Sequence, residues 1–216
     1  MGKAVLALET GMVDRYRWLH TFFSESNREP PYTLGITSAI QGEGVTYVAL
    51  RVAAVMTIDL GRPIAVVEAG LTRPQLAETF GVEAAPGLSE VLAGEAEMDA
   101  ALRETSIPNL KILPGGHVPE HPSRLLRSPV MAHTLAALKE RFDYVLLDTP
   151  AVLFSSDGVV LSNLCDGVLW VIRAGVTPMP AARRGLAMLA REKVVGVALN
   201  GSRLEMPRWL VRLLGI

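Results

Sequence analysis

The sequence predicts an α/β domain of three layers, with a mostly parallel central sheet and helices on both faces. Two observations lead to this fold class. Turn residues divide the 216 residues into alternating strand-like and helix-like segments. The strand-like segments are almost continuously apolar, as expected of parallel strands that are buried on both faces. Strands that alternate with helices pair through right-handed crossovers, which place helices on both sides of the sheet.

Six short segments rich in aliphatic residues are predicted strands. In chain order they are Thr33–Thr37, Ile64–Val67, Lys111–Leu113, Tyr144–Leu147, Gly167–Ile172 and Val194–Leu199. Ligands of such folds bind beyond the carboxyl ends of the strands. We therefore expect the functional site in the loops that follow Thr37, Val67 and Leu147.

Two predicted helices have recognisable ends. The first, Thr46–Leu60, stops before Gly61. The second covers Met131–Phe142, preceded by Ser128-Pro129 as N-cap and first-turn proline. The domain organisation that follows is an N-terminal extension with a helix, an α/β domain and a C-terminal tail helix. Their bounds are 1–31, 32–203 and 204–216.

Composition and charge exclude several classes of function. The chain has 21 Lys and Arg residues against 22 Asp and Glu residues, and its net charge of −1 provides no field that would attract nucleic acid or anionic lipid over the whole surface. Nucleic acid is not expected as a partner. The longest apolar stretch, Val45–Leu60, contains Arg51 and Asp59 and falls short of the roughly 20 residues of a membrane span. The single cysteine, Cys165, fits a reducing cytoplasm.

A glycine-containing loop joins the first strand to the first helix. It covers Ser38–Thr46 and reads S-A-I-Q-G-E-G-V-T. Glycines let backbone N–H groups point at an anion, and the helix N-terminus adds its positive dipole end. This layout predicts a P-loop NTPase fold, with Thr46 as a magnesium ligand. The predicted nucleotide-binding residues of the loop are Gly42, Glu43, Gly44, Val45 and Thr46.

Two positions depart from the phosphate-loop pattern G-x-x-x-x-G-K-[ST]. Ala39 replaces the first glycine, and Val45 replaces the lysine that reaches the β- and γ-phosphates. A charge-assisted hydrogen bond contributes about 1.5–3 kcal/mol, so its loss weakens triphosphate binding by roughly one to two orders of magnitude. Phosphoryl transfer suffers more, because the cation also neutralises charge that develops in the transition state.

Two other interpretations of the loop stay open. Gly42 and Gly44 also suit a tight turn between strand and helix that binds nothing. A dinucleotide site is the other alternative, with Glu68 as the carboxylate that binds the ribose. Tyr47 opposes it, because it occupies the third glycine position of that motif.

The segment Phe142–Pro150, F-D-Y-V-L-L-D-T-P, resembles the Walker B motif of bacterial tyrosine kinases (BY-kinases) and of the related partition and septum-site ATPases. The resemblance implies that Asp148 is catalytic and organises the magnesium shell together with Thr46. A carboxylate at the end of a buried strand needs a metal or hydrogen-bond donors to offset its desolvation. A helix cap or turn cap is the alternative role.

The segment Ala65–Thr72 resembles a degenerate form of the second BY-kinase motif, D-x-D-x-R. Glu68 keeps a carboxylate, whereas Gly70 has lost the second one and Thr72 has lost the arginine. The resemblance implies that Glu68 is a degenerate catalytic residue that helps to set the metal and to activate the attacking hydroxyl. Together with Val45, these losses predict an inactive or weakly active enzyme.

The resemblance extends over roughly Val13 to Asn200. Four further segments carry it: Gly87–Gly94, Asn109–Gly116, Pro122–Leu126 and Asp166–Val171. By analogy Asn200 faces the adenine, with a strand-end turn as the alternative.

The N-terminal helix, Val13–Ser24, resembles the E-x-x-R-x-x-R helix through which BY-kinases oligomerise. Asp14, Arg17 and His20 occupy its three positions. They predict a subunit interface, with a solvated helix face as the alternative.

The C-terminus departs from the family, because no tyrosine follows Tyr144 where active members carry a tyrosine cluster. Met206–Ile216 instead contains Arg208, Trp209 and Arg212. This tail predicts a short amphipathic helix on lipid or on a partner. Docking onto its own domain is the alternative.

These residues lead to one functional hypothesis and one enzymatic alternative. A spatial organiser that resembles the partition and septum-site ATPases is a third class, but those proteins also rely on the loop lysine. The hypothesis is a catalytically impaired BY-kinase-like subunit of exopolysaccharide or capsule biosynthesis. It would be cytoplasmic, homo-oligomeric and held at the inner membrane by a membrane polysaccharide co-polymerase, and it would bind ATP or ADP with Mg²⁺ weakly or not at all. The alternative is a divergent but active ATP-dependent tyrosine kinase or ATPase whose missing cation comes from elsewhere.

Overall fold

The computed structural model describes Pro30 and residues 32–201. Several predictions therefore lie outside the described residues: the helix Val13–Ser24, the interface residues Asp14, Arg17 and His20, and the tail Met206–Ile216. Among the helices that are described, none is long and apolar enough to cross a bilayer.

Within residues 32–201, seven strands form one sheet in the order β3-β4-β2-β5-β1-β6-β7. Their bounds are β1 (Tyr32–Ser38), β2 (Ile64–Glu68), β3 (Arg103–Glu104), β4 (Leu110–Leu113), β5 (Tyr144–Asp148), β6 (Gly167–Arg173) and β7 (Val194–Asn200). All neighbours are parallel except β3 and β4, which are antiparallel. The six predicted strands are confirmed within one residue at either end. Strand β3 was not predicted, because two residues are too few to show a pattern.

Eight α-helices lie within residues 32–201. Their bounds are α1 (Val45–Leu60), α2 (Leu76–Phe80), α3 (Leu88–Ala93), α4 (Met98–Ala101), α5 (Pro122–Leu126), α6 (Pro129–Lys139), α7 (Ser156–Leu164) and α8 (Met179–Leu186). A 3₁₀-helix, Arg191–Lys193, precedes β7.

The predicted helix ends are mostly correct. Helix α1 ends at Gly61, which has a left-handed backbone conformation and donates its N–H to the Thr57 carbonyl. Helix α6 has Ser128 as its N-cap residue and a proline in its first turn. The predicted end at Phe142 is wrong, because the helix stops at Lys139. Phe142 N–H still donates to the Leu138 carbonyl, but in a closing turn that leads the chain into β5.

The core lies on both faces of the sheet. One apolar cluster packs beneath α1 and includes Leu34, Val66 and Leu146. A second lies beneath α3 and α6 and includes Val67 and Leu147, and a smaller third includes Val168 and Trp170. Because successive strand residues point to opposite faces, continuously apolar strands supply the core on both faces. The three-layer architecture predicted from the sequence is confirmed.

The order of the central strands places three loops at one edge of the sheet. Strand β5 lies between β1 and β2, and Asp148 at its end is level with Ile36 and with Glu68 on its two neighbours. The phosphate loop, the end of β2 and the end of β5 therefore meet at one place.

Candidate nucleotide site

The phosphate loop is shaped by two glycines in left-handed conformations. Gly42 has φ of 82° and Gly44 has φ of 86°, a region that residues with a Cβ atom adopt rarely. Gly44 also leaves no space for a side chain, because a Cβ atom there would clash with the Asn200 amide. Gly44 is the N-cap residue of α1 and offers no side-chain acceptor. The amides of the first turn therefore stay available for an anion.

Glu43 stabilises the phosphate loop through hydrogen bonds of its buried carboxylate. Its side chain is fully buried, and Oε2 accepts a hydrogen bond from the Ile40 N–H at 2.7 Å. Oε1 accepts a hydrogen bond from the Thr177 hydroxyl. Because both carboxylate oxygens have donors within the protein, the side chain fixes the curvature of the loop and is not directed at a ligand.

The ends of β6 and β7 brace the same loop. Asn200 Nδ2 donates to the Glu43 carbonyl at 2.8 Å, and Arg173 Nη1 donates to the Gly42 carbonyl at 2.9 Å. Neither Glu43 nor Asn200 lines the cavity above the loop. The adenine contact of Asn200 stays a prediction, and the observed contact of its side chain is with the loop backbone. The sequence does not signal the roles of Arg173 and Thr177, because they depend on how close β6 comes to the loop.

Thr46 and Asp148 are brought together as a candidate metal site. Thr46 Oγ1 donates a hydrogen bond to Asp148 Oδ2 at 2.6 Å. Burial raises the pKa of Asp148 to about 7, the hydroxyl of Thr46 opposes this rise, and the charge of Glu68 adds to it. A hydroxyl and a carboxylate are the hard oxygen ligands that Mg²⁺ prefers. A buried carboxyl with a raised pKa also fits a cation site, since a bound cation would favour its ionised form. These residues therefore suit Mg²⁺.

Glu68 lies level with Asp148, but its carboxylate is engaged by the backbone. Oε1 accepts hydrogen bonds from the N–H groups of Gln75 and Leu76, the latter at 3.0 Å. Oε2 accepts a third bond from the Gly115 N–H at 2.9 Å. The side chain thus caps the start of α2 and ties down the loop after β4. A role for Glu68 as a base would require it to give up part of this network.

A cavity of about 910 Å³ opens above the phosphate loop. It is bounded by the loop, the segment after β2, the end of β5 and the residues around α5 and the start of α7. Val45 lines it and also packs against the apolar cluster beneath α1. Among the described residues that line the cavity, Arg73 is the only Lys, Arg or His. Arg73 directly follows the degenerate second motif, and this position is the sequence signal from which its place at the cavity could be predicted.

A further buried carboxylate, Asp157, lines the far wall of the cavity. It accepts hydrogen bonds from Ser123 at 2.6 Å and from Arg127 Nε at 2.8 Å. Although burial alone would raise the pKa of Asp157, these bonds and that of Ser155 hold it below its ordinary value. Asp157 is therefore ionised and neutralised within the wall, where it joins α5 to α7.

Comparison with known proteins places this chain in a family. The chain is 30% identical over 196 residues to the tyrosine-protein kinase YwqD of Bacillus subtilis, covering 89% of this chain and 82% of that protein. It is 33% identical over 172 residues to the succinoglycan biosynthesis transport protein ExoP of Rhizobium meliloti, covering 77% of this chain but only 22% of ExoP. No protein-family model matches.

Among solved structures, the kinase domain of the Escherichia coli tyrosine kinase ETK superimposes with a TM-score of 0.83. The sequence identity is 27%, and the alignment covers 91% of this chain and 78% of that domain. Three findings indicate the same family. They are the shared fold, the position of the loop between β1 and α1, and the extent of the match to YwqD. The chain has a P-loop NTPase fold and belongs to the bacterial tyrosine kinase family.

Proposed function

We propose that this protein is a BY-kinase-like subunit of exopolysaccharide biosynthesis that binds nucleotide weakly and acts through assembly with a membrane partner. Phosphoryl transfer is not its main activity. One observation carries the proposal: the uncharged side chain of Val45 stands at the cavity where the family pattern requires a lysine.

The remaining polar groups support nucleotide binding better than catalysis. The uncapped amides after Gly44 and the paired Thr46 and Asp148 provide contacts for phosphate and Mg²⁺. Thr46 and Asp148 would hold Mg²⁺, and the bound metal would neutralise charge on the phosphates. The carboxylate of Glu68 is already bonded to three backbone N–H groups, so it is poorly placed to accept a proton from an attacking hydroxyl.

The partner is inferred from the relatives. ExoP is named as a transport protein of succinoglycan biosynthesis, and YwqD is named as a tyrosine kinase. A subunit of such a system that has lost phosphoryl transfer still binds the membrane component. The cytoplasmic face of the inner membrane and a homo-oligomeric state belong to the same proposal.

Calorimetric titration of the full chain with Mg-ATP and Mg-ADP tests the proposal. We expect weak binding of both, because the loop amides and the metal site remain but the lysine does not. Similar affinities for the two nucleotides are expected, since Val45 provides no contact to the γ-phosphate. Tight binding that strongly favours ATP would remove the proposal.

A second candidate, a divergent active kinase or ATPase, is favoured by one observation. Arg73 lines the cavity and provides a cation that Val45 does not. If this candidate is correct, Arg73→Ala abolishes ATP turnover. The matched change Arg124→Ala, on the exposed surface of α5, leaves turnover intact.

A further inference from the structure

Charge is segregated along the sheet although the net charge of the chain is −1. Residues 76–104, at the end of the sheet formed by β3 and β4, carry seven Asp and Glu residues and one arginine. Residues 173–201, at the opposite end formed by β6 and β7, carry five Lys and Arg residues and one glutamate. Neighbouring strands are about 4.8 Å apart, so the acidic and basic ends lie roughly 29 Å from each other.

The basic end also exposes apolar side chains. Helix α8 packs closely on β6, since a Cβ atom at Gly185 would come within 2.8 Å of the Trp170 ring. Val197 of β7 is level with Trp170, so it lies on the same face of the sheet, yet it is 47% exposed. Met179 at the start of α8 is 61% exposed, and Met188 just after α8 is 44% exposed.

The cations at this end are not neutralised by the described part of the chain. Arg183 and Arg184 are exposed on α8, and Arg191 is exposed before β7. Within residues 32–201, their guanidinium groups form no hydrogen bond or ion pair. We name as the β7 edge surface the residues Met179, Arg183, Arg184, Met188, Arg191 and Val197. None of the six lines the nucleotide cavity.

The occupant of the β7 edge surface must offer both anionic and apolar groups. The acidic end of a second copy offers carboxylates, but residues 76–104 include no large exposed hydrophobic side chain. Pairing of the two ends would therefore leave the methionines and Val197 without an apolar partner. A bilayer with anionic headgroups offers both kinds of contact. It would also repel the acidic end and so orient the domain with β7 toward the lipid.

We propose that the β7 edge surface binds directly to an anionic membrane surface, independently of nucleotide and of any protein partner. The arginines contact lipid headgroups, while the methionines and Val197 enter the interfacial layer. The cavity faces the carboxyl ends of the central strands and stays open to solvent in this orientation.

Sedimentation of the full chain with lipid vesicles tests the proposal. We expect binding to vesicles that contain phosphatidylglycerol, and little binding to vesicles of phosphatidylcholine alone. The variant with Arg183→Gln, Arg184→Gln and Arg191→Gln should bind at least about ten-fold more weakly, because each cation near an anionic surface contributes several-fold to affinity. The variant with Met179→Ser and Met188→Ser should also bind more weakly, with its charge unchanged.

A control with the same loss of charge carries Lys111→Gln, Arg124→Gln and Arg141→Gln, at positions outside residues 173–201, where Lys111 and Arg141 are paired with Glu104 and Asp99. This control should bind vesicles as well as the unmodified chain. Absence of binding to phosphatidylglycerol vesicles, or equal weakening by the two triple variants, would overturn the proposal. A different result would assign the surface to a second copy of the chain. In that case the unmodified chain would self-associate without binding vesicles, and only the variant at Arg183, Arg184 and Arg191 would lose the self-association.

Discussion

Val45 differs from a phosphate-loop lysine in charge and in packing. Its side chain lines the cavity and also contacts the apolar cluster beneath α1. The missing charge removes a contact with phosphate. The apolar contact stabilises the packing of the start of α1 on the sheet. A substitution at position 45 therefore affects nucleotide affinity through its charge and the stability of the fold through its packing.

Val45→Lys should raise the affinity for Mg-ATP by roughly ten-fold to a hundred-fold, because a charge-assisted hydrogen bond to phosphate is restored. Calorimetric titration measures this change. Val45→Met is the matched control, since it extends the side chain without charge and should leave the affinity unchanged. Equal effects of the two substitutions would show that the missing cation is not what limits binding.

Asp148 makes the stability of the protein dependent on pH. Its pKa is raised by burial from 3.8 to about 7 in the folded chain. Between these values the unfolded chain ionises and the folded chain stays protonated. The contribution of the Asp148 carboxyl group to the stability of the fold is therefore complete below about pH 4, and it is lost as the pH rises toward 7.

Asp148→Asn removes this pH dependence. The variant should gain free energy of unfolding relative to the unmodified chain as the pH rises from about 4 to 7, by no more than about 4 kcal/mol. Urea denaturation at several pH values measures the difference, with Glu95→Gln at an exposed loop position as control. A difference that is the same at pH 4 and at pH 8 would contradict the raised pKa.

The positions of the motif residues were predictable from the sequence, but their hydrogen bonds were not. Thr46 and Asp148 meet as the Walker motifs indicated. The engagement of Glu68 with Gly115, 47 residues away in the chain, depends on where the loop after β4 passes. A sequence pattern identifies a carboxylate at the end of a strand but does not show which donors surround it.

Among the elements, Glu68 connects three parts of the fold: the end of β2, the first turn of α2 and the loop after β4. Glu68→Ala should lower the free energy of unfolding by about 3 kcal/mol or more, because it leaves three backbone N–H groups without an acceptor at a buried position. Chemical denaturation measures the loss.

Glu95→Ala, at an exposed loop position, is the matched control and should change stability by no more than about 0.5 kcal/mol. If Glu68→Ala proved as stable as this control, the structural role of the carboxylate would be wrong. Its three hydrogen bonds would then not hold α2 in place.

The long, continuously apolar elements were predicted correctly, and the short ones were missed. Strands β1, β2 and β5 are buried at every position, which gives a strong sequence signal. Helix α4 has four residues and β3 has two, so neither shows a periodicity. Helix α6 ended earlier than predicted because its apolar pattern continues into the turn before β5.

The order of the strands in the sheet was not predictable from the sequence. The sequence indicated a parallel sheet, but the placement of β5 between β1 and β2 depends on long crossovers that pack helices on both faces. This placement assembles the site. It also puts the acidic segment and the basic segment at opposite ends of the sheet.

The sheet order predicts a gradient of local stability. Amide hydrogens of β1, β2 and β5 should exchange most slowly, because these strands are central and buried on both faces. Those of the edge strands β3 and β7 should exchange faster. Hydrogen exchange followed by mass spectrometry measures this order, and β7 peptides that exchange as slowly as β1 peptides would contradict it.

We propose that the site has lost phosphoryl transfer together with the lysine of its phosphate loop. The most direct measurement is turnover of radiolabelled ATP by the full chain, with a tyrosine-bearing polypeptide present and Asp148→Asn as reference. We expect that neither ADP release nor tyrosine labelling exceeds that of the reference. Turnover that Asp148→Asn abolishes would contradict it.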